Sequence, residues 1–368
     1  MATHRIATDL TVPLRDAGSG HNRWHPDIPP AAEVDPGDSL VVDVRDGLDV
    51  QVLPDSTTAD LAGLDMHRGH PMAGPFFVRD AEPGDVLEVR IDSIAPADFG
   101  YTTIIPGFGL LEDAFTEPYL VKWSIDNGMA RSPDIPGVAI PAAPFVGLVG
   151  VAPSHERLRA FTFREAELAR RGGDVLPPSA VSAVPAQGTA AVAGLRTVPP
   201  RETGGNMDVK HVTAGSRVWL AVDVPGALVS IGDIHLSQGD GESCGVAIEV
   251  AGTIELTVNV HAGRWKPVCP VIETPSRHGD PPGPSVVTTG LPIDEHGRNR
   301  QLDVRLSARN ALADMIAYLT TVRGLTREQS YIVCSMAVDL RISSIVNIPN
   351  SVVSAVLPLG IFEEAQHS

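Results

Sequence analysis

One local phrase occurs twice in the chain and constrains the fold more than any other feature. A Pro-Gly-Asp turn within residues 35–38 leads into the apolar segment 40–44, and a second one within residues 82–85 leads into segment 86–91. Proline and glycine both favour tight turns. In segment 86–91 apolar residues alternate with charged ones, which is the pattern of a half-buried strand. The repeated phrase therefore predicts stacked β units.

Composition and the C-terminal region complete the fold prediction. The chain contains 35 glycines and 32 prolines with an aromatic share of 5%, which is typical of many turns between short strands. Residues 308–319 have apolar side chains at helical spacing, and residues 326–329 (Thr-Arg-Glu-Gln) resemble the start of a second helix. Two strand-like segments, 341–347 and 352–359, follow. We predict a mainly β fold, sandwich-like or barrel-like, with a C-terminal helical hairpin and an α+β class overall.

A further local prediction concerns residues 246–260. Segments 246–250 and 254–260 alternate cleanly on either side of Ala251 and Gly252. This pattern predicts an antiparallel hairpin that turns at the two small residues.

Length and one unusual segment predict the domain organisation. At 368 residues the chain is longer than a single core usually grows. Residues 174–200 are rich in proline, alanine and glycine and show little periodicity, which indicates a surface loop or a linker. We therefore predict a β-rich subdomain over residues 1–173, the linker 174–200, and a second β-rich subdomain over residues 201–368. One continuous domain is the alternative.

Charge and cysteine content exclude several classes of function. The formal net charge is -17 and the sequence pI is about 5.0. Because phosphate binding relies on clustered Lys and Arg, we expect no nucleic-acid partner. No segment approaches the ~20 apolar residues of a membrane span, and no secretory signal is visible. Cys244, Cys269 and Cys334 lack the spacing of a disulfide framework, which suits a reducing compartment. We predict a soluble, cytoplasmic protein that binds a small molecule.

Residues 232–242 (Gly-Asp-Ile-His-Leu-Ser-Gln-Gly-Asp-Gly-Glu) carry the strongest functional pattern. Carboxylates and an imidazole are the ligands that zinc and other divalent ions prefer. Asp233 and His235 lie two apart, so on a strand they project from one face, and the glycine turn can fold Asp240 and Glu242 back toward them. This pattern predicts a metal-dependent active site. A structural calcium loop or a solvated acidic turn is the alternative.

Two other segments supply ligand-type residues beside glycines. One is centred on His70, and the other spans residues 203–211 with Asn206 and Lys210. One site fed by all three segments is the economical hypothesis. A zinc ion with an open position there would activate a water molecule, and Glu242 is the preferred general base. Lys210 is a candidate to stabilise an oxyanion or to protonate a leaving amine.

Two neighbouring features are secondary candidates. Cys244 adjoins the acidic segment and is a candidate thiol nucleophile, although a cysteine at the start of an apolar strand is more often a core residue. Segment 99–124 carries glycines and aromatic residues, which fits a lid or a pocket wall.

Several phrases together resemble the acetamidase/formamidase family, whose members hydrolyse short aliphatic amides to the carboxylate and ammonia. They are His-Asn-Arg-Trp-His at 21–25, His-Pro-Met-Ala-Gly-Pro-Phe at 70–76, Gly-Gly-Asn-Met-Asp at 204–208, the acidic segment 232–242, and the C-terminal segment 335–359. The resemblance covers nearly the whole chain. It implies a β-rich fold, a homo-oligomer, a divalent metal that is zinc in the first instance, and a small amide as substrate.

The resemblance and the residue chemistry together assign a role to each candidate position. The predicted metal ligands are Asp208, Asp233 and His235. The predicted substrate-binding residues are His70, Asn206 and Gln238. The predicted catalytic residues are Glu242, Lys210 and Asp240. The exact amide and the order of the ligands around the metal stay open.

Overall fold

The computed structural model describes residues 1–263, 267–275 and 283–363, and these ranges hold seventeen strands and four α-helices. The strands are β1 (Thr3–Ile6), β2 (Ala32–Val34), β3 (Ser39–Val44), β4 (Met72–Val78), β5 (Val86–Ile104), β6 (Tyr119–Asp126), β7 (Met129–Arg131), β8 (Ala139–Pro141), β9 (Phe145–Val151), β10 (Gly204–Asn206), β11 (Arg217–Ala221), β12 (Val229–His235), β13 (Glu249–His261), β14 (Val271–Glu273), β15 (Ser285–Gly290), β16 (Asp339–Ser344) and β17 (Val352–Pro358). The helices are α1 (His155–Arg170), α2 (Thr189–Ala193), α3 (Val304–Arg323) and α4 (Arg327–Ala337).

The two Pro-Gly-Asp phrases form tight turns directly before β3 and β5, as the sequence predicts. The amide of Asp38 donates to the carbonyl of Asp35 at 3.0 Å, and the amide of Asp85 donates to the carbonyl of Glu82 at 3.0 Å. In both turns proline is followed by a glycine at positive φ, +90° at Gly37 and +106° at the second glycine. This is the geometry of a type II turn, which needs a residue without a Cβ at its third position.

One 14-stranded sheet dominates the fold and confirms the predicted mainly β class. Its longest path runs β10-β9-β12-β13-β5-β6-β7-β8, with β3 pairing β13 and β4 pairing β12. Strands from both sides of segment 174–200 therefore lie side by side in the same sheet. Every residue of β12 is buried, which places this strand at the centre of the molecule.

The hairpin predicted around Ala251 and Gly252 is wrong, because β13 runs without a turn from Glu249 to His261. A Cβ atom on Gly252 would lie 2.5 Å from the carbonyl oxygen of Ala95 on the neighbouring β5. The register between β13 and β5 also shifts at this point. The glycine therefore permits a close approach of two strands at a β-bulge instead of a reversal of the chain.

The C-terminal region forms the predicted helical hairpin and a second sheet of three strands in the order β15-β17-β16. The side chain of Asp303 caps α3, which ends at Gly324 in the left-handed conformation. Thr326 and Gln329 form the predicted capping box of α4. Over the part of the chain that the structure describes, no helix has the length and apolar character needed to cross a membrane.

Segment 174–200 contains the short helix α2 and is partly buried. Leu195 is 1% exposed and exchanges backbone hydrogen bonds with Trp24. This contact ties the end of the segment to the N-terminal region.

Candidate active site

β12 and β13 bring three ionisable side chains together under a cavity of about 210 Å³. Asp233 and His235 lie on β12, and Glu249, the first residue of β13, stands directly opposite His235 in the antiparallel register. The three residues are only 1%, 2% and 5% exposed. Nε2 of His235 lies 3.2 Å from Oδ2 of Asp233 and 3.4 Å from Oε1 of Glu249. The spacing of two residues thus places Asp233 and His235 together, as the sequence predicts.

Gln238 orients the imidazole of His235. The Nδ1 atom of His235 lies 2.8 Å from Oε1 of Gln238, and the amide nitrogen of Gln238 donates to the carbonyl of Asp208 at 3.0 Å. Because the amide nitrogen is engaged by a carbonyl, Oε1 faces the ring and accepts from Nδ1–H. This leaves Nε2 directed at the carboxylates, which is the arrangement that a metal-binding histidine uses.

Three carboxylate residues of the site have strained backbones. The φ angles are +52° at Asp208, +60° at Asp233 and +41° at Glu242. A non-glycine residue in this region costs on the order of 1–3 kcal/mol, and such residues concentrate at functional sites. The fold holds these side chains in place against their local preference.

Gly147 provides the space into which two of these carboxylates fit. A Cβ atom on Gly147 would lie 2.8 Å from Oδ2 of Asp233, 2.9 Å from Oδ1 of Asp208 and 3.1 Å from Cε1 of His235. Its φ is not positive, so the position requires glycine for lack of a side chain and not for backbone freedom.

Burial and mutual repulsion keep three carboxyl groups from ionising readily. Burial raises the pKa of Asp208 to about 7, with the charge of Asp233 adding to the shift. Burial also raises the pKa of Glu242 and of Glu249 well above the usual range, and neighbouring carboxylates add to both shifts. Without a cation these acids retain protons near neutral pH.

Asp233 and His235 form an ion pair. Burial disfavours the charge of Asp233, but the imidazoles of His235 and His70 hold the pKa of this carboxyl below its usual range. Burial likewise disfavours the charge of His235, but the carboxylates of Glu249 and Asp233 raise its pKa well above the usual value. Burial lowers the pKa of His70, so its imidazole is neutral.

Five polar atoms at the cavity lack a hydrogen-bond partner within the described residues. They are Nδ1 of His70, Oδ1 of Asn206, Oδ1 of Asp208, Oδ1 of Asp233 and Oε2 of Glu249. Leaving a buried polar group unpaired costs about 1–3 kcal/mol. Such a concentration of unpaired acceptors at one place indicates that something other than protein completes the site.

The residues present fit a divalent cation. Ligand atoms of Asp208, His235 and Glu242 lie within 4.8 Å of one another, and those of Asp233, His235 and Glu249 do so as well. Carboxylate oxygens and imidazole nitrogens are the zinc ligands outside cysteine-based sites.

The structure brings together most of the residues that the sequence singles out. Those that line the cavity are His70, Asn206, Asp208, Asp233, His235 and Glu242. The amide nitrogen of Asn206 donates to Oδ2 of Asp208 at 2.8 Å. The three segments predicted to form one site therefore meet.

Lys210 and Asp240 lie in a different cluster. Nζ of Lys210 contacts a carboxylate oxygen of Asp339 at 2.5 Å and one of Asp240 at 3.3 Å. The backbone amide of Asp240 also donates to Asp339, at 2.9 Å. These contacts fasten the loop after β12 to the start of β16.

The structure removes the thiol alternative. Cys244 is fully buried, and burial raises its pKa to about 12. A thiol without access to solvent and so weakly acidic is not a nucleophile near neutral pH. Cys244 is therefore a core residue.

The cavity wall contains residues that the sequence does not reveal as functional. Glu249 is the most important of these, since it reads as an ordinary strand residue beside apolar neighbours. The signal that identifies it is its cross-strand position opposite His235. Ile105 and Phe108, from the predicted lid or wall segment, line the cavity together with other apolar residues, which are Leu48, Met66, Val198 and Val246.

Comparison with known proteins identifies the family of the chain. The acetamidase/formamidase family model matches residues 7–364. The chain is 36% identical to a formamidase of Methylophilus methylotrophus over 95% of this chain and 91% of that protein. It is also 36% identical to an acetamidase of Mycolicibacterium smegmatis, covering 89% of this chain and 88% of the relative.

A solved structure has the same fold over nearly the whole of this chain. It is that of a gamma lactamase from Delftia acidovorans, with a TM-score of 0.92 and 33% sequence identity over 99% of this chain and 94% of that one. The sequence matches and the structural match thus both cover most of the chain. The chain belongs to the acetamidase/formamidase family of amide hydrolases.

Proposed function

We propose that this chain hydrolyses a small carboxamide to the carboxylate and ammonia, and that a divalent metal ion, zinc in the first instance, activates the water. The observation that carries the proposal is the cluster of buried and half-buried, partly unpaired carboxylates around His235 at the floor of the cavity. Buried negative charges without a compensating positive charge destabilise a fold. A cluster of this kind therefore favours a bound cation.

Asp208, Asp233 and His235 are the proposed metal ligands. Gln238 holds His235 with Nε2 toward the carboxylates, and Gly147 leaves room for the two aspartates. A divalent cation bound by such ligands lowers the pKa of water and polarises a carbonyl group.

Glu242 is the proposed general base. It lies in one triad with Asp208 and His235, and its raised pKa suits a group that accepts and returns a proton near neutral pH. In this scheme the carboxylate takes a proton from water as the oxygen bonds to the amide carbon. It then gives that proton to the nitrogen as the C–N bond breaks, and ammonia leaves.

His70 and Asn206 are the proposed contacts for the polar end of the substrate. The imidazole of His70 is neutral, and the free carbonyl oxygen of Asn206 can accept a hydrogen bond from an amide N–H. The apolar wall that includes Phe108 would receive the rest of the molecule.

Metal analysis combined with an ammonia assay tests the proposal. Purified protein should contain zinc, release ammonia from formamide or acetamide, lose this activity on chelation and regain it with zinc. A fully metal-free protein that retains activity would refute the metal dependence. If calcium instead raises the melting temperature and no amide is turned over, the site is structural.

A second candidate substrate is a γ-lactam. The cavity of about 210 Å³ is several times the ~30 Å³ that one water molecule occupies, and much of its wall is apolar. Hydrolysis of a ring amide breaks the same C–N bond but leaves the amine attached to the acid. An ammonia assay would miss it, so the product should be followed as a new primary amine.

We also propose a homo-oligomer that works in the cytoplasm. Ile342, Val346 and Ile348 are 62%, 75% and 73% exposed beside the small three-stranded sheet, and an exposed apolar patch favours an interface between copies. The cysteines Cys244, Cys269 and Cys334 are all free, which suits a reducing compartment. Light scattering coupled to gel filtration would give the mass, and a monomeric mass at micromolar concentration would exclude the oligomer.

A further inference from the structure

Two carboxylates of the site each direct one oxygen toward His235 and leave the other oxygen free. Oδ2 of Asp233 and Oε1 of Glu249 lie 3.2 and 3.4 Å from Nε2 of His235. Their second oxygens, Oδ1 of Asp233 and Oε2 of Glu249, are buried and have no hydrogen-bond partner in the described parts of the chain when both groups are ionised. Without a cation, the proton that Glu249 retains joins the two carboxyl groups in a hydrogen bond. Both residues are more than nine-tenths buried.

The two free oxygens face one common place, next to Gly47. A Cβ atom on Gly47 would lie 2.6 Å from Oδ1 of Asp233 and 2.8 Å from Oε2 of Glu249, and 3.2 Å from the ring of His70. Its φ is not in the left-handed region, so only the absence of a side chain explains the glycine.

The other oxygen of Asp233 belongs to a different place. Oδ2 lies beside Gly147 together with Oδ1 of Asp208, where a Cβ atom would meet them at 2.8 and 2.9 Å. Glu242 joins Asp208 and His235 on this side. The carboxylate of Asp233 thus stands between two groups of ligand atoms, each packed against its own glycine.

The charge of the cluster with all its carboxylates ionised is consistent with two ions. The cluster holds four carboxylates, which are those of Asp208, Asp233, Glu242 and Glu249, around the imidazole of His235. A single divalent cation compensates only two negative charges. Buried charges that remain unpaired are strongly destabilising, so two cations balance the ionised cluster where one does not.

We propose that the site holds two divalent cations bridged by the carboxylate of Asp233, with Glu249 as a further ligand of one of them. The first, on the side of Gly147, is held by Asp208, Asp233 and His235 with Glu242 beside it. The second, on the side of Gly47, is held by Oδ1 of Asp233 and Oε2 of Glu249. The inference rests on the proposed function, because the first ion is the one named there. Carboxylate-bridged metal pairs are a recurrent arrangement in hydrolases.

Counting ions in matched variants tests the second position. Gly47→Ala places a methyl group against the two free oxygens and should reduce the zinc content from two ions per chain to one. Glu249→Gln should do the same by removing a charged ligand of the second ion, and it decides the matter if Gly47→Ala fails to fold. Gly63→Ala is the control, because Gly63 has open space around its Cβ position and no positive φ, and it should retain two ions.

Mass spectrometry after saturation with zinc gives the count, and electron paramagnetic resonance of the manganese-loaded protein tests the bridge. Two Mn²⁺ ions that share the carboxylate of Asp233 should give an exchange-coupled spectrum, which Gly47→Ala replaces with that of an isolated ion. One ion per wild-type chain at saturation overturns the second site but leaves the proposed function intact. Two uncoupled ions that persist in Gly47→Ala also overturn the bridge. No bound ion at all refutes both proposals.

Discussion

The metal-free protein should become more stable when a ligand of the metal is neutralised. Burial, with the charge of Asp233 adding, raises the pKa of Asp208 from 3.8 to about 7. A carboxyl group whose pKa is raised by folding binds more protons in the native state than in the unfolded state. It therefore lowers the free energy of unfolding progressively as the pH rises from about 4 to about 7. A shift of about three pKa units corresponds to about 4 kcal/mol above pH 7.

Asp208→Asn removes this titration and keeps an oxygen that can accept from Asn206. In chelator at pH 8 we expect the free energy of unfolding of the variant to exceed that of the wild type by about 4 kcal/mol. For a chain of this length, this corresponds to a melting temperature about 5 °C higher. At pH 4 to 5 the difference should shrink toward zero. With saturating zinc the order should reverse, because the wild type gains the binding free energy of the ion and the variant gains less.

Differential scanning calorimetry over pH 5 to 8, with chelator and with zinc, measures both effects. Asp55→Asn, which neutralises an exposed aspartate, is the control for the change in net charge. A metal-free wild type whose melting temperature does not change between pH 5 and 8 would contradict the reasoning. So would a metal-free Asp208→Asn protein that melts below the wild type at pH 8.

Four other substitutions separate roles within and around the site. Gln238→Ala should weaken zinc binding about 10–100-fold, because the imidazole of His235 is no longer held in place. Competition with a chromogenic chelator measures the affinity, and an unchanged value would show that Gln238 does not orient the metal ligand. Lys210→Met should lower the free energy of unfolding by about 1–3 kcal/mol in urea denaturation but keep kcat within about twofold, whereas loss of turnover with unchanged stability would make this lysine catalytic. Cys244→Ala should retain ammonia release and lose only some stability by scanning calorimetry, and abolished turnover in a folded variant would revive the thiol mechanism. Phe108→Ala should raise kcat/KM for bulky amides relative to formamide in a substrate panel, and an unchanged ratio would place this side chain outside the path of the substrate.

Local chemistry in the sequence was sufficient to locate much of the candidate site. Asp233 and His235 share a strand face because side chains alternate with a period of two, and this is visible in any sequence. A glycine directly precedes both Asn206 and Glu242, and both glycines have a positive φ that bends the chain where ligand-type residues converge. The capping box at Thr326 and Gln329 similarly fixes the start of α4.

Long-range pairing decides what the sequence could not predict. Glu249 looks like a residue with its carboxylate in solvent until the register places it opposite His235. Lys210 and Asp240 belong to two of the segments that form the site, but both contact Asp339, which lies about 100 or more residues further along the chain. Such contacts depend on which strands become neighbours, and local periodicity does not carry that information.

Glycine illustrates most clearly what a sequence cannot show, because it serves two structural purposes that look identical in a sequence. At Gly37 it supplies a positive φ for a turn, and that use is predictable from the proline before it. At Gly47, Gly147 and Gly252 the φ angle is not in the left-handed region, and a Cβ atom would come within 2.9 Å of a carboxylate or carbonyl oxygen. There the missing side chain is itself the structural feature, and it creates the space for the carboxylates and for the close strand. Alanine should therefore be tolerated by the backbone at all three positions, with the ligand atoms or the neighbouring strand displaced instead.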